Sequence, residues 1–462
     1  MSDSPVPLTL DLARALAGLD PVALSDRVAR RSGIAFLDTI AVIAAGLREP
    51  AVEALARTIG DGGGPPATAR DRALLLGTAA HALDYDDVAF GGHVSAVIVP
   101  AILSMLPDLP RQTPSRLLLL AYAAGFEAWA EVSARETTLY HSKGGHPTGM
   151  LGPLGAAAAA ATLLRLDTDR YAHALAIAAS LGAGLTVNFG TMTKPFHAGR
   201  AAEAGVFAAL LAQAGMTAAP DALEARNGFL RVHSPNGDVD LRRPVFLDGG
   251  ALRLESVAPS VKRFPVCYAA HRAIDAALAL HRDGGFTPEA LTRIDILISP
   301  RHAGTLRYSD PTTVSQARFS LEFAVCTALL TGQVGLSQLT DAWLNDRQLR
   351  RLMSRCRREL SDRADPVLEG FAAFDRVTLH RNDAPPLRSP EVTRPLGHAD
   401  TPLNPDQIEA KLADCISLSA SLPSAAEMRD LIGQLGQPTG VPDALTSLLG
   451  ALLAQAAPAS HR

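Results

Sequence analysis

The run Gly-Pro-Leu-Gly-Ala-Ala-Ala-Ala-Ala-Ala-Thr-Leu-Leu at 152–164 constrains this chain more than any other stretch. A helix built from it has no polar stripe to turn toward water, so other helices must surround it, and its small side chains let them come close. It is too short and too interrupted by Gly and Pro to cross a bilayer. The run therefore predicts the centre of an all-helical unit. Apolar residues three and four apart carry the helical pattern from Leu8 to about Leu230. The expected helices are 21–47 (Pro21 in its first turn), 71–83, 94–106, 114–135, 171–180 and 198–214, with Gly-Asp-Gly-Gly-Gly-Pro-Pro at 60–66 as a loop.

After Pro244 the character changes. Residues 245–257 mix short β-like stretches with Gly249-Gly250, while 291–298 and 374–380 alternate as strands do. Between these, 319–330 and 341–352 have a helical pattern, and 405–418, 425–435 and 442–454 are helical again. The expectation is a mainly α protein: a large all-helical domain plus a smaller α+β domain. Residues 1–256 begin the helical domain, 257–395 form the α+β domain, and 396–462 return to the helices. A length of 462 residues suits two units.

Composition removes several function classes. With 47% hydrophobic and 19% charged residues, the chain has enough apolar matter for a packed core and is not disordered. A formal charge of −4 gives no footprint for nucleic acid or for a polybasic membrane surface, and leaves room for a small anionic substrate. Four scattered cysteines without CxxC spacing argue against a zinc module and a disulfide framework, and for a reducing, cytoplasmic setting. The first residues lack the basic stretch of a secretory signal.

Lysine occurs only at positions 143, 194, 262 and 411, all other cationic side chains being arginine. A buried lysine amine can be tuned toward neutrality and an arginine cannot. Three of the four lie in unusual polar segments. The segment around the first acidic cluster reads His81-Ala-Leu-Asp84-Tyr-Asp86-Asp87, followed by Gly91-Gly92-His93. Its carboxylates need cations, hydrogen bonds or raised pKa values to coexist. It reads either as a site or as a helix cap with a solvated acidic turn. Tyr140-His-Ser-Lys143-Gly-Gly-His146-Pro-Thr148 falls between two apolar helices. There His146, held between Gly and Pro, is the stronger candidate, and His141 and Lys143 can equally face water. Lys194-Pro-Phe-His197-Ala-Gly-Arg200 opens a helix, where cations oppose the macrodipole unless an anion binds. Lys262-Arg-Phe-Pro-Val-Cys267 precedes another helix. For these two segments a solvated loop is the competing reading.

In order along the chain, ALDYDD at 82–87 with His93, GGHPTGMLGPLGAAAAAA at 144–161, ASLGAGL at 179–185, MTKPFHAGRAAEAGVFAALLAQAGMT at 192–217, KRFPVCYAAH at 262–271 and GHADTPLNPDQIEAKL at 397–412 resemble the MmgE/PrpD family. The resemblance implies a helical domain with an α+β lid, a homodimer, and chemistry on small di- or tricarboxylates with no cofactor and no metal. It places the family's site residues on Asp84, His93, His146, Lys194 and Lys262, with Tyr308 as a further contact. The family includes dehydratases of 2-methylcitrate, decarboxylases of cis-aconitate and an epimerase of iminodisuccinate. Dehydration of a 2-methylcitrate-like substrate is the expected reaction; epimerisation, to which Tyr140 and Lys143 would be suited, and decarboxylation are the alternatives. Val88 and Cys267 stand where the decarboxylase carries a threonine and a histidine.

All three reactions build negative charge beside a carboxylate, so fixed positive charge must do more than a base alone. Lys194 and Lys262, with Arg200, His197, Tyr308 and Cys267 as further substrate contacts, are expected to hold carboxylates. His93 or His146 would move the proton and Asp84 would orient a histidine. Closure of the lid would complete the site. Two rival classes remain: a helical Mg²⁺-diphosphate enzyme using Asp84, Asp86 and Asp87 as ligands, and a non-catalytic interaction protein.

Overall fold

The alanine run lies in α7 (Pro147–Leu163) of a computed structural model that describes residues 6–59, 65–245, 251–368, 370–382, 384–419, 422–437 and 439–456. All 17 residues of α7 are buried, as a helix without a polar face requires. Around it stand α1 (Leu8–Ala17), α2 (Asp26–Gly46), α3 (Pro50–Ile59), α4 (Ala69–Ala82), α5 (Ser95–Met105), α6 (Arg116–Ser133), α8 (Thr168–Ala179) and α9 (Thr193–Gln213). These belong to one compact unit, Met1–Asn188, Met192–Pro259 and Cys415–Arg462. Within it the C-terminal helices Ala425–Gln434 and Asp443–Ala456 pack on α2 and α3.

Three helix starts differ by five residues from the sequence expectation, and each has a local cause. Helix α2 begins at Asp26 rather than near Pro21, because the Ser25 hydroxyl caps it by accepting from the Val28 amide at 3.2 Å. Helix α7 begins at Pro147, five residues early, since proline at the first helical position loses no intrahelical bond. Helix α9 likewise starts at Thr193 with Pro195 in its first turn. Lys194 and His197 are therefore helical residues, not loop residues.

Close helix contact in this unit is made by residues without side chains. Gly77 of α4 meets Gly199 of α9: a Cβ on Gly77 would lie 2.7 Å from the Gly199 Cα, and one on Gly199 would lie 2.2 Å from both the Leu74 carbonyl oxygen and Thr78 Oγ1. The two backbones can then run almost in contact, which sets the neighbouring turns, carrying His81 and Lys194, at hydrogen-bonding distance.

The second unit, Phe189–Thr191 and Ser260–Asp414, is built on a four-stranded sheet in the order β2-β1-β3-β4. Its strands are β1 (Leu291–Ile298), β2 (Cys356–Leu360), β3 (Arg376–Arg381) and β4 (Ala384–Arg388). β1 pairs parallel with β2 and antiparallel with β3, and β3 pairs antiparallel with β4. Ile294, Ile296 and Ile298 of β1 and Val377 and Leu379 of β3 form the core with helices His271–Asp283 and Leu321–Thr331. β1 and β3 match the expected strands; β2 and β4 were not anticipated. The expected helix 341–352 is two short ones, Asp341–Leu344 and Arg347–Met353, because the Asp346 carboxylate caps the second by accepting from the Gln348 and Leu349 amides. Residues 396–414 group with this sheet rather than with the tail: the Leu396 amide donates to Asp275 at 2.8 Å, the Ala399 amide to Ser260 Oγ at 3.1 Å, and the Leu336 amide to Asp414 at 3.1 Å. Of the expected β-like stretch 245–257, positions 246–250 lie outside the described residues, and 251–257 hold a 3₁₀ turn, Arg253–Glu255. Among the described residues no helix is long and apolar enough to cross a membrane.

The glycine contact sets a test. Gly199→Ala should lower stability by about 1–3 kcal/mol through overpacking, despite alanine's better helix propensity. Gly450→Ala, in an exposed stretch of helix where a Cβ meets nothing within 4 Å, should instead stabilise by about 0.5–1 kcal/mol. Denaturant unfolding of both variants measures the contrast, and equal effects would remove the packing argument.

Candidate active site

The C-terminal end of α4 builds the first part of the site. His81 lies in its last turn, and Asp84 follows in the left-handed region at φ 51°, where aspartate is tolerated better than most side chains. This turn ends the helix and leaves Asp84 and Asp86 buried. The next turn, with Phe90 at φ 50° and Gly91 at φ 74°, is closed by two bonds between Ala89 and Gly92 and delivers His93. The His93 amide then donates to Thr148 Oγ1 at 3.1 Å, tying this loop to the start of α7.

Asp86 is the hub. Its carboxylate accepts from His81 Nδ1 at 3.0 Å and from His93 Nδ1 at 2.8 Å. Burial opposes its ionisation, but the two imidazoles outweigh burial and hold its carboxyl well below the usual range. An ionised carboxylate only accepts, so both histidines carry a proton on Nδ1, which leaves Nε2 as the unprotonated nitrogen of the neutral ring. His81 Nε2 faces the Lys194 ammonium at 2.8 Å, and Lys194 also donates to Asp84 Oδ1 at 2.9 Å. His93 Nε2 lies 3.8 Å from the same Asp84 oxygen. Lys194, near the start of α9, thus has its anionic counterpart within the protein.

His146 caps α7 and shares a hydrogen bond with His197 of α9, Nδ1 to Nδ1 at 3.0 Å. The four imidazoles form one cluster, with ring centroids 4.0 Å apart for His81 and His93, 5.9 Å for His81 and His146, and 5.2 Å for His146 and His197. Burial, then Lys194 and the other imidazoles, pushes His146 well below the ordinary histidine value. Burial, His81 and Lys194 bring His197 down to about 4. Burial also lowers His81, against the pull of Asp86. At neutral pH His146 and His197 are uncharged; one donates its Nδ1 proton to the other, and the donor's Nε2 is left as a proton acceptor.

The third carboxylate of the acidic cluster has a different task. Asp87 accepts from the backbone and hydroxyl of Ser95 at the start of α5, and Tyr122 O–H lies 2.7 Å from that hydroxyl. Burial pushes Asp87 up to about 7. It anchors α5 from behind the histidines.

Asp84, His93, His146, Lys194 and His197 are thus brought together, and sequence reasoning missed two members, His81 and Asp86. Both were visible within the quoted acidic motif; the signal was histidine five residues before an aspartate across a helix end. Other expected residues lie elsewhere in this unit. Arg200 is half-exposed and ion-paired with Glu203, which also binds Arg70 at 2.8 Å. Helical phase sets it about 120° from Lys194 around α9. Lys143 is exposed and lowers the pKa of His233, after burial, by its charge. Tyr140 is buried, and burial beside Glu136 raises its phenol, keeping it protonated. Lys262, Cys267 and Tyr308 belong to the second unit. There Lys262 is fully buried, the Cys267 amide donates to the Arg318 carbonyl at 2.8 Å, and Tyr308 O–H donates to the Phe189 carbonyl at 2.9 Å.

Two overlapping groups have metal-ligand spacing: His81, His93 and His146, and His81, Asp84, Asp86 and His93, each with candidate atoms within 4.8 Å of one another. Three of their nitrogen donors are already engaged, however. Asp86 occupies both Nδ1 atoms, and the Lys194 ammonium occupies His81 Nε2, where a dication would meet like charge. The arrangement suits proton transfer beside fixed positive charge better than metal coordination.

Two measurements check this electrostatic picture. Unfolded histidine takes up a proton near 6.5 while folded His197 resists until about 4. Stability should therefore be full above about pH 6.5 and fall as pH drops toward 4. His197→Asn should flatten this part of the unfolding profile; an unchanged slope would contradict it. Activity should also survive EDTA, and a loss restored by Zn²⁺ would assign the histidine face to a metal.

Comparison with known proteins follows the same division of the chain. Residues 10–242 match the MmgE/PrpD N-terminal domain and residues 264–435 the MmgE/PrpD C-terminal domain. The chain is 28% identical to cis-aconitate decarboxylase of Homo sapiens over 427 residues, covering 87% of this chain and 86% of that protein. It is 28% identical to cis-aconitate decarboxylase of Mus musculus over 355 residues, covering 73% and 70%.

Proposed function

The chain belongs to the MmgE/PrpD family, and from that premise we propose that it is a cofactor-independent lyase that moves a proton beside a carboxylate and eliminates water from a small di- or tricarboxylate resembling 2-methylcitrate. The observation that carries this reading is a buried set of neutral imidazoles beside the Lys194 ammonium. Four imidazoles and the Lys194 ammonium face two carboxylates, and His146 and His197 are held neutral partly by their cationic neighbourhood. A polyanionic substrate adds negative charge beside these imidazoles. Its arrival raises the imidazole pKa values toward neutrality, which makes a proton acceptor effective.

Within this reading the substrate carboxylate sits against Lys194, and His93 Nε2 or His146 takes the proton. Lys194 stabilises the enolate-like charge that develops, in a site from which burial excludes water. Asp86 is a positioning residue: it holds His81 with Nε2 toward Lys194 and His93 with Nε2 unprotonated, as a hydrogen-bonded carboxylate fixes an imidazole tautomer. Asp84 keeps the ammonium in place. A homodimer in the cytoplasm is the expected setting.

A second reading, decarboxylation of cis-aconitate, is favoured by the two decarboxylase relatives. The losses of CO₂ and of water share the enolate problem, so the same cluster serves either. Epimerisation of an imino dicarboxylate is the third.

Incubation with 2-methylcitrate, cis-aconitate and iminodisuccinate in D₂O, followed by NMR, separates them. Water loss from the first is expected; CO₂ loss from cis-aconitate would transfer the assignment to the second reading, and deuterium uptake without either loss to the third. Lys194→Ala and His146→Ala should each lower kcat by about 10²–10⁴-fold, and Asp86→Asn by about 10–100-fold. Full turnover in both alanine variants would end the proposal.

A further inference from the structure

A second reactive cluster lies in the sheet unit. Cys326, in helix Leu321–Thr331, and Cys356, the first residue of β2, have their sulfur atoms 3.4 Å apart. Cys326 is buried and Cys356 half-buried. Their meeting is not an isolated contact. Four residues before Cys326, Glu322 accepts from Arg358, two residues after Cys356, through Nε at 2.7 Å and Nη2 at 2.6 Å. Four helical residues rise about 6 Å and two strand residues about 6.6 Å. The helix face at 322 and 326 and the strand face at 358 and 356 therefore match as two parallel rungs, one ionic and one of thiols. The ionic rung sets the register that holds the sulfurs face to face.

We propose that Cys326 and Cys356 are a reversible thiol–disulfide site, oxidised by a peroxide or by a low-molecular-weight disulfide. A disulfide needs sulfurs about 2.05 Å apart, so the pair must close by little more than the width of one bond. β2 is the strand that can move: it lies at the sheet edge and pairs only with β1, through Cys356 opposite Ile294. The order of steps follows from exposure. With hydrogen peroxide, the half-buried Cys356 thiol forms a sulfenic acid and releases one water. The Cys326 sulfur then attacks that sulfur, the S–O bond breaks, and a second water leaves. In sum, two thiols and one peroxide give one disulfide and two waters. Burial pushes the Cys326 thiol up, which makes it a poor first target; its proximity to Cys356 then supplies the advantage of an intramolecular reaction. Thiols such as glutathione or dithiothreitol reverse the bond.

This inference stands apart from the proposed reaction, and its test does not use activity. The full-length protein is treated with hydrogen peroxide, alkylated with iodoacetamide, digested without reductant and mapped by mass spectrometry. The expected result is one cross-linked peptide pair containing Cys326 and Cys356, 2 Da lighter than the two free peptides, lost on treatment with dithiothreitol. Cys267 and Cys415, both buried, should stay reduced. Cys356→Ser should abolish the cross-link and leave Cys326 unoxidised, whereas Cys326→Ser should leave Cys356 as a sulfenic acid that dimedone captures. If the buried variant fails to fold, the half-buried Cys356→Ser and the unmodified chain still decide the matter. Alkylation of both thiols after peroxide treatment, or oxidation of Cys356 to a sulfinic acid with no cross-link, would overturn it.

Discussion

A buried carboxylate has to be matched by donors, and Asp86 shows how far that requirement reaches. Removed from water, its charge persists only because two imidazole N–H groups replace the lost hydration. Those bonds fix which nitrogen of His81 and of His93 carries the proton. His81 then accepts from Lys194, which binds Asp84. Removal of one member would leave the next uncompensated in a low dielectric, so the cluster stands or falls as a unit.

Such a chain of charges needs backbone precision, and the helical unit obtains it by giving up side chains. Where Gly77 meets Gly199 the helices approach to a distance that a methyl group would prevent, and the polar residues one turn away are held at fixed separations. Alanine on α7 does the same on another side. The sheet unit uses a different solution, a branched aliphatic core between helices and sheet, with its edge strand aligned by an ion pair.

Particular residues show how much of this was legible. Asp84, His93, His146 and Lys194 stood out because their segments are compositionally abnormal, rich in titratable side chains beside Gly and Pro. The core strands β1 and β3 stood out because one face is buried and the residues alternate. Strand β2 did not, since it is an edge strand with exposed charged residues and no alternation to read. Arg200 and Lys143 have surroundings the sequence does not announce. Each lies within a few residues of a candidate-site residue, and in the structure Arg200 pairs with Glu203 while the Lys143 charge acts on His233. Closeness in sequence does not specify direction in space.

Apolar periodicity and small-residue content, which act through local geometry and the removal of surface from water, were sufficient to determine a mainly helical chain with a β-containing part, and its clusters of titratable residues marked the segments that meet in the candidate site. The partnership of each titratable group was decided only by the tertiary structure. His81 became part of the site because Lys194, more than a hundred residues away in sequence, meets it there. A hydrogen bond depends on tenths of an ångström between such segments, and that distance is set by the packing of the whole unit, not by any local stretch of residues.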